Sequence, residues 1–442
     1  MRTILTLFCT LFAFSLFAGM QQFTLDNGLK ILVKEDHRAP VAIVMMWYKV
    51  GSADDQAGVT GVAHVLEHMM FKGTPTYPAG VFSKTIGRLG GQANAMTSND
   101  YTAYFEKIAT EHIQTCFELE ADRMQHLTLD AAAFTQEIKV IQEERRLRTD
   151  DNPQALTLER FLATAHLIAP YQHPVIGWMN DLQNLTIHDV RTGYQRFYAP
   201  NHATLVVVGD VSPTTIYTQA KKTFHSLKKQ PVYSHKPQQE PPALGKKTID
   251  IHGRVKIPML MRGYTVPSVK SAEKTPLQHD PYVLEIIAAL LDAGDSGRLQ
   301  HHLVRDRQQA SSVGVDYNLY TRYETQFILY ATPTESHTLE TLAQALEHEI
   351  MQLKTQPVSE TELQRVKTQL IAQKTFERDS LFGQAMELGL LETIELNWQT
   401  LNQYETQIRQ VTPAHIQTVA NAYFQDTRQT DARLTPQAGA HT

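Results

Sequence analysis

The most informative stretch of this chain reads Gly61-Val62-Ala63-His64-Val65-Leu66-Glu67-His68-Met69-Met70-Phe71-Lys72-Gly73-Thr74. It predicts one short helix, with Thr60 as its N-cap and Gly73 at its end. Residues four apart lie on one helix face, so we expect His64 and His68 to direct both imidazoles at a single ion, with Glu67 on the same side. Two neutral histidines suit a catalytic zinc site, which requires a third protein ligand and an open position for water.

We expect the third ligand on a second predicted helix, residues 136–146. Glu137 and Glu144 lie seven residues apart, or two turns, on one face of this helix. Val140 and Ile141 share that face, so we expect the face to point inward. Glu143 is turned by about 100° from Glu144 and is expected to meet solvent. The helix pattern by itself leaves Glu137 and Glu144 as the two candidates.

The composition is that of an ordinary globular protein. The 442 residues are 42% hydrophobic and 20% charged, which is enough for two cores. The net charge of −5 lacks the basic surplus that binding to a nucleic acid needs.

The beginning of the chain predicts export. Met1-Arg2-Thr3 precedes the apolar run 4–17, which has the form of a secretory signal peptide, predicted as residues 1–19. We therefore expect the protein in the periplasm, or secreted. An uncleaved anchor or a buried first strand is the alternative, and no later stretch is long enough for a stable membrane span. Cys116 would be the one cysteine of the exported chain, so we expect no internal disulfide and a small buried thiol.

A polar stretch with four prolines, residues 230–246, predicts a linker. It separates an N-terminal domain, 20–229, which carries the metal motif, from a C-terminal domain, 247–442.

Two local matches indicate that the halves arose by duplication. Leu185-Thr186-Ile187-His188-Asp189-Val190 resembles Val411-Thr412-Pro413-Ala414-His415-Ile416, and the helix that begins at Asp130 resembles the one that begins at Ser359. The predicted fold class is α+β, with two homologous α/β domains that close on each other like a clamshell. Each would be a mainly antiparallel sheet packed with helices. Val366 and Gln373 match Glu137 and Glu144, so the second domain is predicted to be an inactive repeat.

These motifs resemble the inverted-motif zinc peptidases of the pitrilysin and insulinase family, especially its mitochondrial-processing-peptidase-like branch. The resemblance covers nearly the whole exported chain and includes, besides the motif and the downstream glutamates, the segments 71–74, 90–95, 198–201 and 209–210. It implies that His64, His68 and Glu144 bind one Zn²⁺ and that Glu67 is the catalytic general base for the water on that zinc. It also implies that Glu137 is a second catalytic carboxylate supporting the site.

The resemblance also implies a peptide substrate. Residues 92–105 read as a hairpin, and in the family an edge strand matching its first arm pairs with the peptide, which makes Asn94 and Ala95 the substrate-binding candidates. A surface hairpin whose asparagine serves a turn is the alternative. The implied function is a zinc-dependent endopeptidase that hydrolyses peptides or unfolded polypeptide segments in the cell envelope.

The second half departs from the family pattern. Where the family carries an arginine and a tyrosine that reach the substrate, this chain has Val304 and Ser311, and Arg305 is displaced by one residue. The resemblance therefore implies a heterodimer with a zinc-less homologous subunit that supplies both groups, or a homodimer. A non-catalytic structural or chaperone-like subunit of the same fold is the competing hypothesis. A zinc-binding protein without hydrolysis would leave Glu67 without a task.

Overall fold

The computed structural model of the protein describes residues 19–231 and 240–437. Apart from Gly19, the predicted signal peptide 1–19 lies outside the described residues, as does part of the predicted linker 230–246, so both stay predictions. Among the described residues, none of the helices combines the length and the apolar character that crossing a membrane requires. Cys116 is buried and unpaired.

The first half alternates strands and helices around one sheet. In chain order it contains β1 (Met20–Thr24), β2 (Lys30–Glu35), β3 (Val41–Tyr48), α1 (Val62–Met69), α2 (Val81–Arg88), β4 (Gln92–Thr97), β5 (Thr102–Ala109), α3 (Ile113–His126), α4 (Ala131–Arg145), α5 (Pro153–Ala165), α6 (Met179–Asn184), α7 (Ile187–Phe197), β6 (Ala203–Gly209) and α8 (Pro213–Phe224).

The second half repeats this plan with a second sheet. In chain order it contains β7 (Lys247–Gly253), β8 (Met259–Val266), α9 (Asp280–Leu291), β9 (Ala310–Asp316), β10 (Thr325–Pro333), α10 (Leu339–Thr355), α11 (Glu360–Glu377), α12 (Leu381–Thr393), α13 (Thr400–Gln410), α14 (Pro413–Tyr423) and β11 (Gln429–Pro436).

The two sheets have corresponding strand orders. The first is β1-β2-β6-β3-β5-β4 and the second is β7-β11-β8-β10-β9, which matches the first strand by strand once β1 is set aside. Each has one parallel pair, β2 with β6 and β7 with β11, and its other neighbours are antiparallel. The predicted fold class, two homologous α+β domains with mainly antiparallel sheets, is confirmed.

Strand β3 is apolar on both faces because both faces are covered. Met46 and Tyr48 point into the core of the first half. Met45 and Trp47, which alternate with them, point into a core shared with the second half. The unbroken apolar run of β3 thus reflects a sheet enclosed on both sides.

The halves exchange one helix each. Helix α12 of the second half lies against β3, and a Cβ at Gly389 would come within 2.0 Å of the Trp47 ring. Helix α5 of the first half lies on the second sheet, where Phe161 packs with Met261 and Leu434. The helices occupy equivalent places in the repeat, since α5 follows α4 and α12 follows α11. The halves therefore close on each other through a reciprocal exchange of helices.

Candidate active site

Helix α1 begins at a glycine. Gly61 is its N-cap, with φ of 86°, and its N–H donates to Oδ2 of Asp55 at 2.7 Å. The prediction that Thr60 caps this helix is wrong, because the Thr60 hydroxyl instead donates to Oδ2 of Asp181 at 2.6 Å. Asp55 also accepts from the N–H of Ala63, so a buried carboxylate serves the free N–H groups of the first turn.

The ligand atoms of His64, His68 and Glu144 all lie within 4.8 Å of one another. Oε2 of Glu144 is 3.5 Å from Nε2 of His68 and 4.0 Å from Nε2 of His64. Ligands about 2.0–2.1 Å from a tetrahedral zinc are separated by roughly 3.3 Å, so the group needs little adjustment to hold one ion. Two imidazoles and one carboxylate are also a donor set that catalytic zinc uses.

Glu137 lies behind His68 rather than in the site's opening. Its Oε1 is 2.9 Å from Nδ1 of His68, and its other oxygen pairs with Lys72. Burial opposes ionisation of Glu137, but the hydrogen bonds from Lys72 and His68 lower its pKa below the usual value. The carboxylate thus accepts the Nδ1 proton and leaves Nε2 of His68 free to bind a metal. Glu137 therefore contacts the histidine and not the opening, and its place suits a residue that orients His68.

His64 is held neutral. Burial, followed by the nearby His68 imidazole, lowers the pKa of His64 to about 3. A histidine must be neutral to bind a metal, so this environment favours a ligand role. Its Nδ1 is buried and has no hydrogen-bond partner among the described residues.

Glu67 faces the same opening and is bound by Thr97. The Thr97 hydroxyl donates to Oε2 of Glu67 at 2.5 Å. Burial raises the pKa of Glu67, and the hydrogen bond from Thr97 partly opposes this shift. A glutamate with a raised pKa accepts a proton more readily, as a general base requires.

His64, Glu67, His68 and Glu144 line a cleft of about 1060 Å³. One wall is β4, which carries Asn94 and Ala95 and is the outer strand of its sheet. Its free edge leaves backbone N–H and C=O groups available for pairing with an extended peptide.

A second part of the lining carries apolar side chains that are open to solvent. Its apolar members are Val140, Leu147 and Leu158, whose exposed fractions are 53%, 66% and 38%. The prediction of an inward face is confirmed for Ile141, which is fully buried, and wrong for Val140, because α4 turns this residue towards the cleft. Glu143 is exposed as expected and pairs with Arg146.

Three residues that contact the predicted site glutamates were not predicted from the sequence. Lys72 lies four residues after His68 in the motif segment, and Arg148 lies four after Glu144, so a helix-spacing rule could have indicated both. Thr97 shares a strand face with Ala95, which is a weaker signal.

Val304 and Ser311 do not reach this cleft. Val304 packs against the core of the second half, and the Ser311 hydroxyl donates to the carbonyl of Thr332. Among the described residues, the side chains that line the cleft all belong to the first half.

Comparison with known proteins matches this architecture. Residues 30–177 match the family described as Insulinase (Peptidase family M16), and residues 184–370 match the Peptidase M16 inactive domain. Zinc protease PqqE of Helicobacter pylori is 32% identical over 443 aligned positions, covering 98% of this chain and 96% of that protein. The chain belongs to the insulinase family, peptidase family M16. The resemblance predicted from the motifs is confirmed.

Two further similar proteins show how far the similarity extends. The crystal structure of a protease from Helicobacter pylori superposes with a TM-score of 0.89 at 32% identity, covering 94% of this chain and 99% of that one. A probable mitochondrial-processing peptidase subunit beta of Arabidopsis thaliana is 27% identical over 208 residues, 47% of this chain and 39% of that protein. The family, its two-domain fold and its similarity to named zinc proteases are therefore established for this chain.

Proposed function

We propose that the protein is a zinc-dependent endopeptidase that hydrolyses peptides or unfolded polypeptide segments in the cell envelope. The convergence of His64, His68 and Glu144 beside Glu67 in one cleft is the observation that carries the proposal. The named zinc proteases among the relatives support the metal.

The site residues have separate roles in peptide hydrolysis. His64, His68 and Glu144 would hold Zn²⁺, which lowers the pKa of a water molecule and polarises a carbonyl when it is bound. Glu67 takes a proton from the attacking water and delivers it to the leaving nitrogen as the C–N bond breaks. The free edge of β4, at Asn94 and Ala95, aligns the peptide by strand addition.

Location and partner are part of the proposal. The charged start and apolar run 1–17 support export to the periplasm. Val304 and Ser311 stand where the family has substrate-contacting groups, which supports a heterodimer with a zinc-less homologous subunit, or a homodimer.

The decisive experiment compares the purified wild type with Glu67→Gln. We expect both to bind zinc, because Glu67 is not a ligand. Chelator-sensitive peptide hydrolysis should fall by about 100-fold or more in Glu67→Gln, since a general base typically contributes this much. Glu111→Gln, an exposed glutamate far along the chain, is the matched control and should retain activity.

Three outcomes would contradict parts of the proposal. Hydrolysis that survives Glu67→Gln rules out the mechanism, and zinc binding with no hydrolysis under any pairing favours the non-catalytic subunit. Full activity of a monomeric wild type rules out the need for a partner. Assays should therefore include the chain alone and with any homologue encoded beside it.

A further inference from the structure

Glu144 is held from two sides. Its Oε2 faces Nε2 of both histidines, and its Oε1 forms an ion pair with Nη1 of Arg148 at 2.8 Å. A carboxylate that binds a metal through one oxygen is normally hydrogen-bonded at the other, because this partner fixes its orientation. Arg148 contacts the outer oxygen of the proposed third ligand.

Arg148 lies in a short π-helical turn that follows α4. After α4 the helix widens into one π-helical turn, Arg146–Asp150, closed by the N–H of Asp151 donating to the carbonyl of Arg146 at 2.8 Å. Such turns occur frequently at functional sites. The spacing of four residues brings Arg148 over Glu144.

A buried ion pair anchors the corner that carries this turn. Arg145 donates from Nη1 and Nη2 to the two carboxylate oxygens of Glu159 on α5, at 2.7 and 2.9 Å. Arg145 also donates to the carbonyl of Gly177 at 2.7 Å. The Arg145 side chain thus joins α4 to α5 and to the segment at Gly177, and these bonds hold the backbone next to Arg148 in place.

The three proposed ligands differ in the residues that orient them. His68 is oriented by Glu137, whereas Nδ1 of His64 has no partner among the described residues. In the repeated helix α11, the equivalent positions are Gln373 and Glu377, so the second half lacks both the ligand and the cation. The carboxylate and the arginine are thus present together in the half with the metal motif and absent together in the other.

We propose that Arg148 is a positioning residue that orients Glu144 and thereby sets the affinity of the site for zinc. The proposal rests on the metal site of the proposed function, but it does not depend on hydrolysis. The competing explanation is an ordinary surface ion pair, since Arg148 is 76% exposed and such pairs contribute little to stability.

The neighbouring pair supplies a matched control. Arg146 bonds Glu143 at 2.7 Å, also on the outside of the helix, and touches no proposed ligand. Zinc affinity is measured on the full chain by competition with a chromogenic chelator. Arg148→Ala should weaken zinc binding about 10- to 100-fold, the usual effect of removing a partner of a metal ligand. Arg146→Ala should bind zinc as the wild type does, and Arg148→Lys, which keeps the charge, should recover much of the loss.

Thermal unfolding of the zinc-free variants separates a folding defect from a metal defect. We expect zinc-free Arg148→Ala and wild type to unfold at the same temperature. Equal zinc affinity of Arg148→Ala and Arg146→Ala overturns the proposal, and so does an Arg148→Ala protein destabilised without zinc and not rescued by lysine. A wild type that binds no zinc overturns both proposals, whereas zinc binding without hydrolysis overturns only the proposed function.

Discussion

Arg322 of the second half forms a bidentate ion pair with Asp54 of the first half. The Nη1–Oδ1 and Nη2–Oδ2 distances are both 2.9 Å. The same guanidinium reaches Oδ1 of Asp100 through Nε at 3.2 Å, and the Tyr171 hydroxyl donates to the other oxygen of Asp100 at 2.6 Å. Burial works against the charge of Arg322, but the two aspartates raise its pKa further above its usual value. One cation of the second half therefore balances two buried carboxylates of the first.

Removing that cation should destabilise the protein strongly. Arg322→Ala removes the cation that pairs with the buried Asp54 and Asp100, which costs about 3–5 kcal/mol in the free energy of unfolding. Arg409→Ala, which removes an exposed pair with Glu405, should cost about 0.5 kcal/mol or less. Urea denaturation of both variants measures the difference, and equal costs would show that the junction of the halves does not depend on Arg322.

Gly389→Ala should also destabilise the protein, against the usual effect of this substitution in a helix. The added Cβ would overlap the Trp47 ring, and such overpacking costs about 1–3 kcal/mol or more. Gly87→Ala is the control, because Gly87 lies in α2 with open space around its Cβ and should gain about 0.5–1 kcal/mol. Thermal denaturation of both variants tests whether α12 packs on β3 as described, since a stabilised Gly389→Ala protein is incompatible with that contact.

A buried carboxyl pair in the first half should make stability fall as pH rises. Burial, and then the neighbouring Glu120, raise the pKa of Glu106 well above its ordinary value of 4.5, while Arg123 opposes the shift. The folded protein therefore keeps a proton that the unfolded chain releases above that value. The stabilisation is complete below pH 4.5 and is lost with a slope of about 1.4 kcal/mol per pH unit up to the folded pKa.

Glu106→Gln tests this dependence, because glutamine cannot ionise. Free energies of unfolding from about pH 5 to pH 8 should decline less steeply for Glu106→Gln than for the wild type. Glu111→Gln, which is exposed, should follow the wild type. Parallel curves for wild type and Glu106→Gln would falsify the assignment of the retained proton to this pair.

The apolar wall of the cleft should select substrates. If peptides occupy the cleft, Leu147→Ser combined with Leu158→Ser should reduce kcat/KM about tenfold for peptides with apolar residues beside the cleaved bond, and less for polar peptides. Phe376→Ser, at the equivalent exposed position of α11, is the control and should leave both rates unchanged. Equal losses for both peptide classes would assign the wall a structural role instead.

Local spacing explains the part of the site that could be predicted. His64, Glu67 and His68 lie within five residues of one helix, so helix geometry alone brings them to one side. The same rule limits the third ligand to one face of α4, but it does not distinguish Glu137 from Glu144. Their separation depends on how α1 crosses α4, which distant packing sets: Glu144 meets both histidines, and Glu137 meets the far nitrogen of His68.

Val140 shows where the prediction from hydrophobicity fails. Val140 and Ile141 share a helix face with Glu137 and Glu144, and both are expected to point inward. Ile141 is fully buried, but Val140 lines an open cleft beside α5 and the π-helical turn. The exchange of α5 and α12 is equally hidden in the sequence, since nothing local to either helix indicates which of two similar sheets it covers.

The motif, the repeated pattern of strands and helices and the apolar faces depend on residues a few positions apart. They specify the helix that carries the motif and the two-domain fold. The division of roles between Glu137 and Glu144, the placement of Arg148 and the joining of the halves through Arg322 come from residues many positions apart. Such contacts are settled by the simultaneous packing of all the elements, so they became visible only in the tertiary structure.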